Sequence, residues 1–174
     1  MSQTIRNASE NDLPAIVAIY NSTISSRRVT ADTTPVSVES RLNWFLEHTP
    51  DFRPLWVVEE EQMAIAWLSF SSFYGRPAYN KTAEISLYVD ESWRGKGLGS
   101  ALLQAAIARS PEIGIDTLLG FIFGHNIPSL KLFKKFGFEQ WGWLPKVALL
   151  DDVERDVAIL GMKISMASRI KNTV

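Results

Sequence analysis

The stretch from Arg94 to Ser100, Arg-Gly-Lys-Gly-Leu-Gly-Ser, constrains this chain more than any other. It follows Glu84-Ile-Ser-Leu-Tyr-Val-Asp90, which has the apolar and β-branched character of a strand. After it, Leu98, Ala101, Leu102 and Ala105 recur at helical spacing. The glycines therefore sit on a strand-to-helix turn. Such a turn aims unpaired backbone N–H groups, and the positive end of the helix dipole, at one point beyond the sheet. Gly95, Gly97 and Gly99 lack a Cβ, so an anion approaches the backbone closely and positive φ costs little. A pyrophosphate suits that chemistry. The spacing is not that of a P-loop, and no third glycine completes a Rossmann fingerprint.

The 174 residues suit a single domain over 1–174. A hydrophobic content of 46%, with six tryptophans and nine phenylalanines, supplies a large core. A net charge of -1 gives no electrostatic footprint for nucleic acid or an anionic membrane. Without cysteine there is no disulfide framework, thiolate nucleophile or zinc–thiolate site, and His48 and His125 are too far apart in sequence to suggest a metal cluster. No metal is expected. Met-Ser-Gln-Thr-Ile-Arg lacks the apolar core of a signal peptide, and no apolar run reaches the roughly 20 residues of a membrane span, so a cytoplasmic protein is expected.

In order, Thr4 to Asn7 reads as a strand, and Ser9 with Asp12 as a variant capping box. Leu13, Ile16, Val17, Tyr20 and Ile24 mark one face of a first helix. After a polar loop over 27–34, Pro35 suits the first turn of a second helix that turns Leu42, Phe45 and Leu46 inward. Residues 55–59 and 64–73 read as a hairpin, 74–81 as a loop and 83–90 as a strand before the glycine turn. The helix after the turn runs to about Arg109, and Thr117 to Phe123 is an apolar strand buried on both faces. A short helix over 130–136 stops at Gly137, and strands at 138–143 and 153–164 flank a loop at 145–152. The order βααβββαβαββ is a mixed α/β sheet.

Arg94, Gly97 and Gly99 make Arg-x-x-Gly-x-Gly, and Asn126-x-x-Ser129-x-x-Leu132-Phe133-x-x-x-Gly137-Phe138 follows about 30 residues later. The two motifs, in this order on these elements, resemble the GNAT superfamily of acetyl-CoA-dependent N-acetyltransferases over nearly the whole chain. Within it, Arg76-x-Ala-Tyr79, Glu84 ahead of Leu87-Tyr88-Val89, and Trp44 resemble the phosphinothricin and methionine-sulfone acetyltransferases, which act on the α-amine of small amino-acid-like substrates. The resemblance implies the GNAT fold: a mixed, mostly antiparallel sheet flanked by helices, with a splayed central strand pair. It also implies a homodimer.

By the same resemblance, the donor's pyrophosphate lies on the backbone of Arg94, Gly95, Lys96, Gly97, Leu98, Gly99 and Ser100. The pantetheine arm pairs with the freed backbone of Leu87, Tyr88 and Val89, where an N–H polarises the thioester carbonyl. Asn126, beside Ser129, bonds the arm, and Lys135 reaches the donor's 3′-phosphate. Glu84, a carboxylate interrupting an apolar strand, is the candidate base, directly or through water. Many relatives carry tyrosine or histidine where this chain has Phe133, which cannot protonate a leaving thiolate; Tyr79 and Tyr88 are candidate substitutes. For the acceptor, Arg76 and Tyr79 are expected to read an anionic group, with Thr33 and its neighbours from Thr30 onward, because a carboxylate or phosphinate suits a planar guanidinium. Trp44 and Trp143 are candidate walls, and the histidines are expected to be structural. The rival readings are a protein N-terminal or lysine acetyltransferase and a non-catalytic acyl-CoA-binding module.

Overall fold

Alternation along the strands buries both faces of one sheet in the computed structural model, which describes residues 3–164. Its seven strands are β1 (Thr4–Asn7), β2 (Leu55–Glu60), β3 (Met63–Ser72), β4 (Thr82–Val89), β5 (Thr117–Phe123), β6 (Glu139–Leu150) and β7 (Val153–Lys163). They lie in the order β1-β2-β3-β4-β5-β7-β6. Every neighbouring pair is antiparallel except β4 and β5, which are parallel. Four helices flank the sheet: α1 (Leu13–Ile24), α2 (Val38–Leu46), α3 (Leu98–Arg109) and α4 (Ile127–Lys135). No helix among the described residues is long and apolar enough to cross a membrane.

Odd and even positions of β2 and β3 serve different cores. Trp56, Val58, Leu68 and Phe70 join Leu102, Leu103 and Ala106 of α3, and Phe133 of α4. Leu55, Val57 and Trp67 instead join Ile16 and Ile19 of α1, with Trp44 and Phe45 of α2 half-buried against them. Strands covered on both sides read as near-continuous apolar runs, as β3 does. Glu61 and Gln62 join β2 to β3 with φ of 49° and 64°, the doubly left-handed turn whose twist matches a hairpin.

The expected boundaries shift in four places. Ser37, rather than Pro35, starts α2: its Oγ accepts the Ser40 N–H at 3.2 Å. That helix turns no residue fully inward, and Leu46 is 61% exposed, because only the Trp44 and Phe45 side of this short helix meets the sheet. The loop expected at 145–152 is instead the second half of β6. Lys146, at φ 53°, forms a bulge whose N–H donates to Asp156 Oδ1 at 2.7 Å, and the two-residue turn Asp151–Asp152 closes the hairpin. Last, α4 begins at Ile127, with Asn126 as its cap.

Because α2 depends on one cap and a half-buried face, Ser37→Ala should cost about 1 kcal/mol of stability, the usual loss of an N-cap hydroxyl. A shift in the urea midpoint at unchanged m-value measures it. No shift would show that α2 is held by its packing alone.

Candidate active site

The sheet opens at its one parallel pair. β4 is in register with β5 only at Thr82, Ala83 and Glu84, opposite Thr117 to Leu119. Beyond Glu84 the strands diverge, so from Ile85 to Val89 the β5-facing edge of β4 has no strand beside it among the described residues. An unpaired edge offers its N–H and C=O groups to any extended chain laid along it. This is the splayed pair expected from the sequence.

On one side of the splay runs a groove of about 720 Å³. Leu87, Tyr88 and Val89 line it along β4, and Arg94, Gly95, Gly97, Leu98, Gly99 and Ser100 at the turn into α3. Asn126 and Ser129 line it from the start of α4. Gly95 and Gly97 have φ of 75° and 85°, in the left-handed region closed to most side chains, and Gly97 is the N-cap of α3. Open space surrounds where their Cβ atoms would be, so a bulky anion can sit against the backbone. The first intrahelical bond, Ala101 N–H to the Gly97 carbonyl at 3.0 Å, leaves the earlier amides free. The residues present therefore fit a pyrophosphate joined to an extended arm. Asn126 has its Oδ1 committed to the Ser129 N–H at 3.3 Å, so its capping role and its place on the groove coexist.

Two expected donor contacts sit elsewhere. Lys96 lays its Nζ 4.0 Å from the Trp93 ring centroid, and Lys135 lies 5.8 Å from that of Phe136; neither side chain lines the groove. The cation that the sequence did not flag there is Arg28, from the polar loop after α1, which carries no periodic signal.

On the other face of β4, three cross-strand pairs follow one another: Trp67 with Tyr88, Ser69 with Ser86, and Ser71 with Glu84. All six residues point to the same face, by the two-residue period of a strand. The Trp67 and Tyr88 rings stack at 4.4 Å and 19°. Above them α1 and α2 roof a cavity of about 170 Å³, walled by Tyr20, Trp44, Trp67 and Tyr88 and floored by the three serines. Glu84 is the next residue in that row, opposite Ser71 and roughly 6.8 Å along the strand from Ser86, just beyond the cavity lining itself. Burial pushes its carboxyl above the ordinary value, since low dielectric disfavours the ion. A smaller opening between the splayed strands, lined by Ser86, Tyr88, Phe121, Asn126 and Phe133, shares Ser86 and Tyr88 with this cavity and Tyr88 and Asn126 with the groove.

Phe133 is buried there, edge-on to Phe138 at 4.9 Å, and offers no proton. Neither candidate substitute fills the gap. Burial raises the Tyr88 phenol further above its ordinary value, which makes it a weaker acid towards a thiolate whose own pKa is about 8.5. Tyr79 is exposed in the turn Pro77–Tyr79, against Phe73 at 5.4 Å. Arg76 precedes that turn, and Arg76, Tyr79 and Thr33 all lie outside the cavity lining; Thr33 gives its carbonyl to Arg27 Nη1 at 3.0 Å. Trp44 walls the cavity as expected. Trp143 does not: it is 44% exposed and its ring lies against Gly124. His48 Nδ1 bonds the Trp44 carbonyl, and His125 Nε2 that of Arg27, each at 2.7 Å. Among the described residues no cluster of three metal-ligating side chains occurs. The serine floor escaped the sequence reading, although Ser69 and Ser71, and Glu84 and Ser86, interrupt apolar strands at the two-residue period that marks one face.

The chain matches the model of the acetyltransferase (GNAT) family over residues 16–138. It is 58% identical over 163 residues to YwnH of Bacillus subtilis strain 168, provisionally named a phosphinothricin acetyltransferase, covering 93% of this chain and 99% of that one. It is 34% identical to the L-methionine sulfoximine/L-methionine sulfone acetyltransferase of Pseudomonas aeruginosa strain PAO1, covering 84% and 86%. The crystal structure of a phosphinothricin acetyltransferase from Sinorhizobium meliloti in complex with acetyl-CoA superposes with a TM-score of 0.87, at 29% identity, covering 94% of this chain and 89% of that one.

Proposed function

The chain belongs to the acetyltransferase (GNAT) family and is an N-acetyltransferase; from that premise we propose that it moves the acetyl group of acetyl-CoA to the α-amine of a small amino acid or analogue of the phosphinothricin, methionine sulfone or methionine sulfoximine type. One observation carries the reading. Glu84, with its carboxyl raised by burial, stands cross-strand from Ser71 at the end of the serine row, and that row shares Ser86 with the opening at the strand splay. A donor laid along the groove and an acceptor held over the serines would meet at that opening.

Acetyl-CoA, when bound, supplies an activated thioester. The rest falls to the chain. The amides at Gly95 to Ser100 and the α3 dipole hold the pyrophosphate. The free edge of β4 from Leu87 to Val89 orders the pantetheine arm and presents an N–H where negative charge develops on the carbonyl oxygen. Glu84 takes the amine proton, through water where the gap requires it. No side chain acts as the acid. A thiolate with a pKa of about 8.5 leaves without one and takes its proton from solvent.

The roofed cavity of about 170 Å³ suits a small acceptor, whereas a protein terminus or lysine needs an open groove. We also place the enzyme in the cytoplasm as a homodimer. The edge strand β6 supports pairing: Trp141, Val147 and Leu149 on it are 47%, 59% and 63% exposed, an apolar band of the kind that a second copy covers.

Release of coenzyme A, measured with methionine sulfone, methionine sulfoximine, phosphinothricin and an N-terminal peptide, tests the reading. Turnover is expected with the amino acids and not with the peptide. Turnover with the peptide alone would overturn it, and acetyl-CoA binding without turnover on any amine would leave only a binding module.

A further inference from the structure

Resting on the reading just given, we propose that Arg41, on α2, is the specificity residue that reads the acceptor's α-carboxylate. Among the described residues lining the cavity it carries the only charge. The other lining groups are aromatic, aliphatic or hydroxyl, which explains space and neutral hydrogen bonds but gives a carboxylate no counter-ion. Arg76, the arginine that the sequence singles out, is not in the lining.

The Arg41 guanidinium is held in place. Its Nη2 donates to Asp32 Oδ2 at 2.9 Å, and its Cζ lies 4.9 Å from the Tyr20 ring centroid. Tyr20, itself a wall of the cavity, donates its hydroxyl proton to the same Asp32, and its oxygen is also hydrogen-bonded with the Thr30 hydroxyl. Asp32 is the more exposed partner, at 42% against 30% for Arg41, and of the two only Arg41 lines the cavity. One N–H of the planar fork is spent on Asp32, and the geometry of the fork leaves others for a second carboxylate. With its carboxylate at Arg41 under the roof, an amino acid can direct its amine down to the serine floor and the splay.

The pair predicts a pattern that a merely structural clamp would not give. The test compares wild type, Arg41→Gln, Arg41→Lys and Asp32→Asn, on methionine sulfone and on its carboxamide. Arg41→Gln keeps length and much of the stacking, and should raise KM for the acid by about 10- to 100-fold, the range for a lost charged hydrogen bond, with kcat little changed. KM for the amide should move by less than about threefold. Arg41→Lys should recover part of the loss on the acid, since lysine keeps the charge without the fork. Asp32→Asn frees the guanidinium and should leave KM for the acid unchanged or lower. Acetyl-CoA affinity of each variant, read by calorimetry, should match wild type and certifies the fold, because Arg41 does not line the donor groove. Equal losses of Arg41→Gln on acid and amide would overturn the assignment. So would an Asp32→Asn variant that loses the acid as Arg41→Gln does, which would make the pair only a clamp on the roof. Failure of the function itself looks different: wild type would then acetylate neither compound, and the inference would fall with it.

Discussion

Glu84→Gln should lower kcat/KM by roughly 10²–10⁴ at neutral pH, the span expected when a general base is lost. Glutamine keeps the size and the cross-strand place opposite Ser71 but cannot take a proton. Because burial raises the Glu84 carboxyl above its ordinary 4.5, the acid limb of the wild-type profile should have its midpoint above that value. The base works only when ionised, so activity falls as pH drops through that midpoint, and the Gln variant should lack this limb. Its deficit should narrow at high pH, where the acceptor arrives as free amine. Stability gives the control. A carboxyl with a raised native pKa favours its neutral form in the fold, so its contribution is full below the unfolded pKa and is lost as pH rises through the native one. At pH 8 the Gln variant should therefore unfold at the same or a higher urea concentration than wild type. A Gln variant within about twofold of wild-type kcat/KM at every pH would show that Glu84 is no base, since base loss costs at least about 10².

Gly97→Asp should weaken acetyl-CoA binding by roughly 10²–10³-fold. The N-cap of α3 is where the free amides of the first turn and the helix dipole converge, and a carboxylate there competes for the site that a phosphate would take. Two unit charges 4 Å apart at an effective dielectric of 20 repel by about 4 kcal/mol, enough for the upper end of that range. The fold should survive. Position 97 has φ 85° with open space where a Cβ would go, aspartate tolerates the left-handed region better than most residues, and it is a preferred cap. Gly97→Asn, the neutral analogue, should lose much less, which separates charge from bulk. Calorimetric titration with acetyl-CoA decides it: an Asp variant that is folded and binds within about threefold of wild type would remove the pyrophosphate from this turn.

How far each residue could be read depended on how local its signal is. The donor side was legible because its chemistry is written in consecutive residues. Three glycines between a strand and a helix dictate a turn with free amides, and the Asn126 and Ser129 motif lies at the start of the next helix, which the sequence placed three residues late, at 130. Both elements then line one groove. Glu84 was legible as a carboxylate breaking an apolar run. The boundary errors came where short-range rules compete. Pro35 carries a helix-start preference, but the hydroxyl of Ser37 satisfies an orphan N–H, which proline cannot do. In 145–152, proline and two aspartates suggest a loop, yet Asp156 on the paired strand takes the Lys146 N–H and the strand continues through a bulge.

The acceptor side is different in kind. Tyr20, Arg41, Trp44, Ser69, Ser86 and Tyr88 come from four elements spread over residues 20–88, and spacing relates only those that share an element, such as Ser86 and Tyr88. Register makes the floor: β3 and β4 pair so that Ser69 faces Ser86 and Ser71 faces Glu84. Packing makes the roof, because α1 and α2 cover the same face of the sheet. Arg76 shows the limit from the other side. In sequence it stands eight residues before Glu84 and invites a shared role, but the turn at Pro77–Tyr79 leaves it outside the cavity, whereas Arg41, more than forty residues upstream of Glu84, lines it. The sequence by itself determined the fold class, the glycine turn before a helix and the place of a carboxylate on its strand, since each follows from residues a few positions apart acting through backbone geometry. Only the tertiary structure decided which side chains surround the roofed cavity, because strand register and helix packing bring distant elements together.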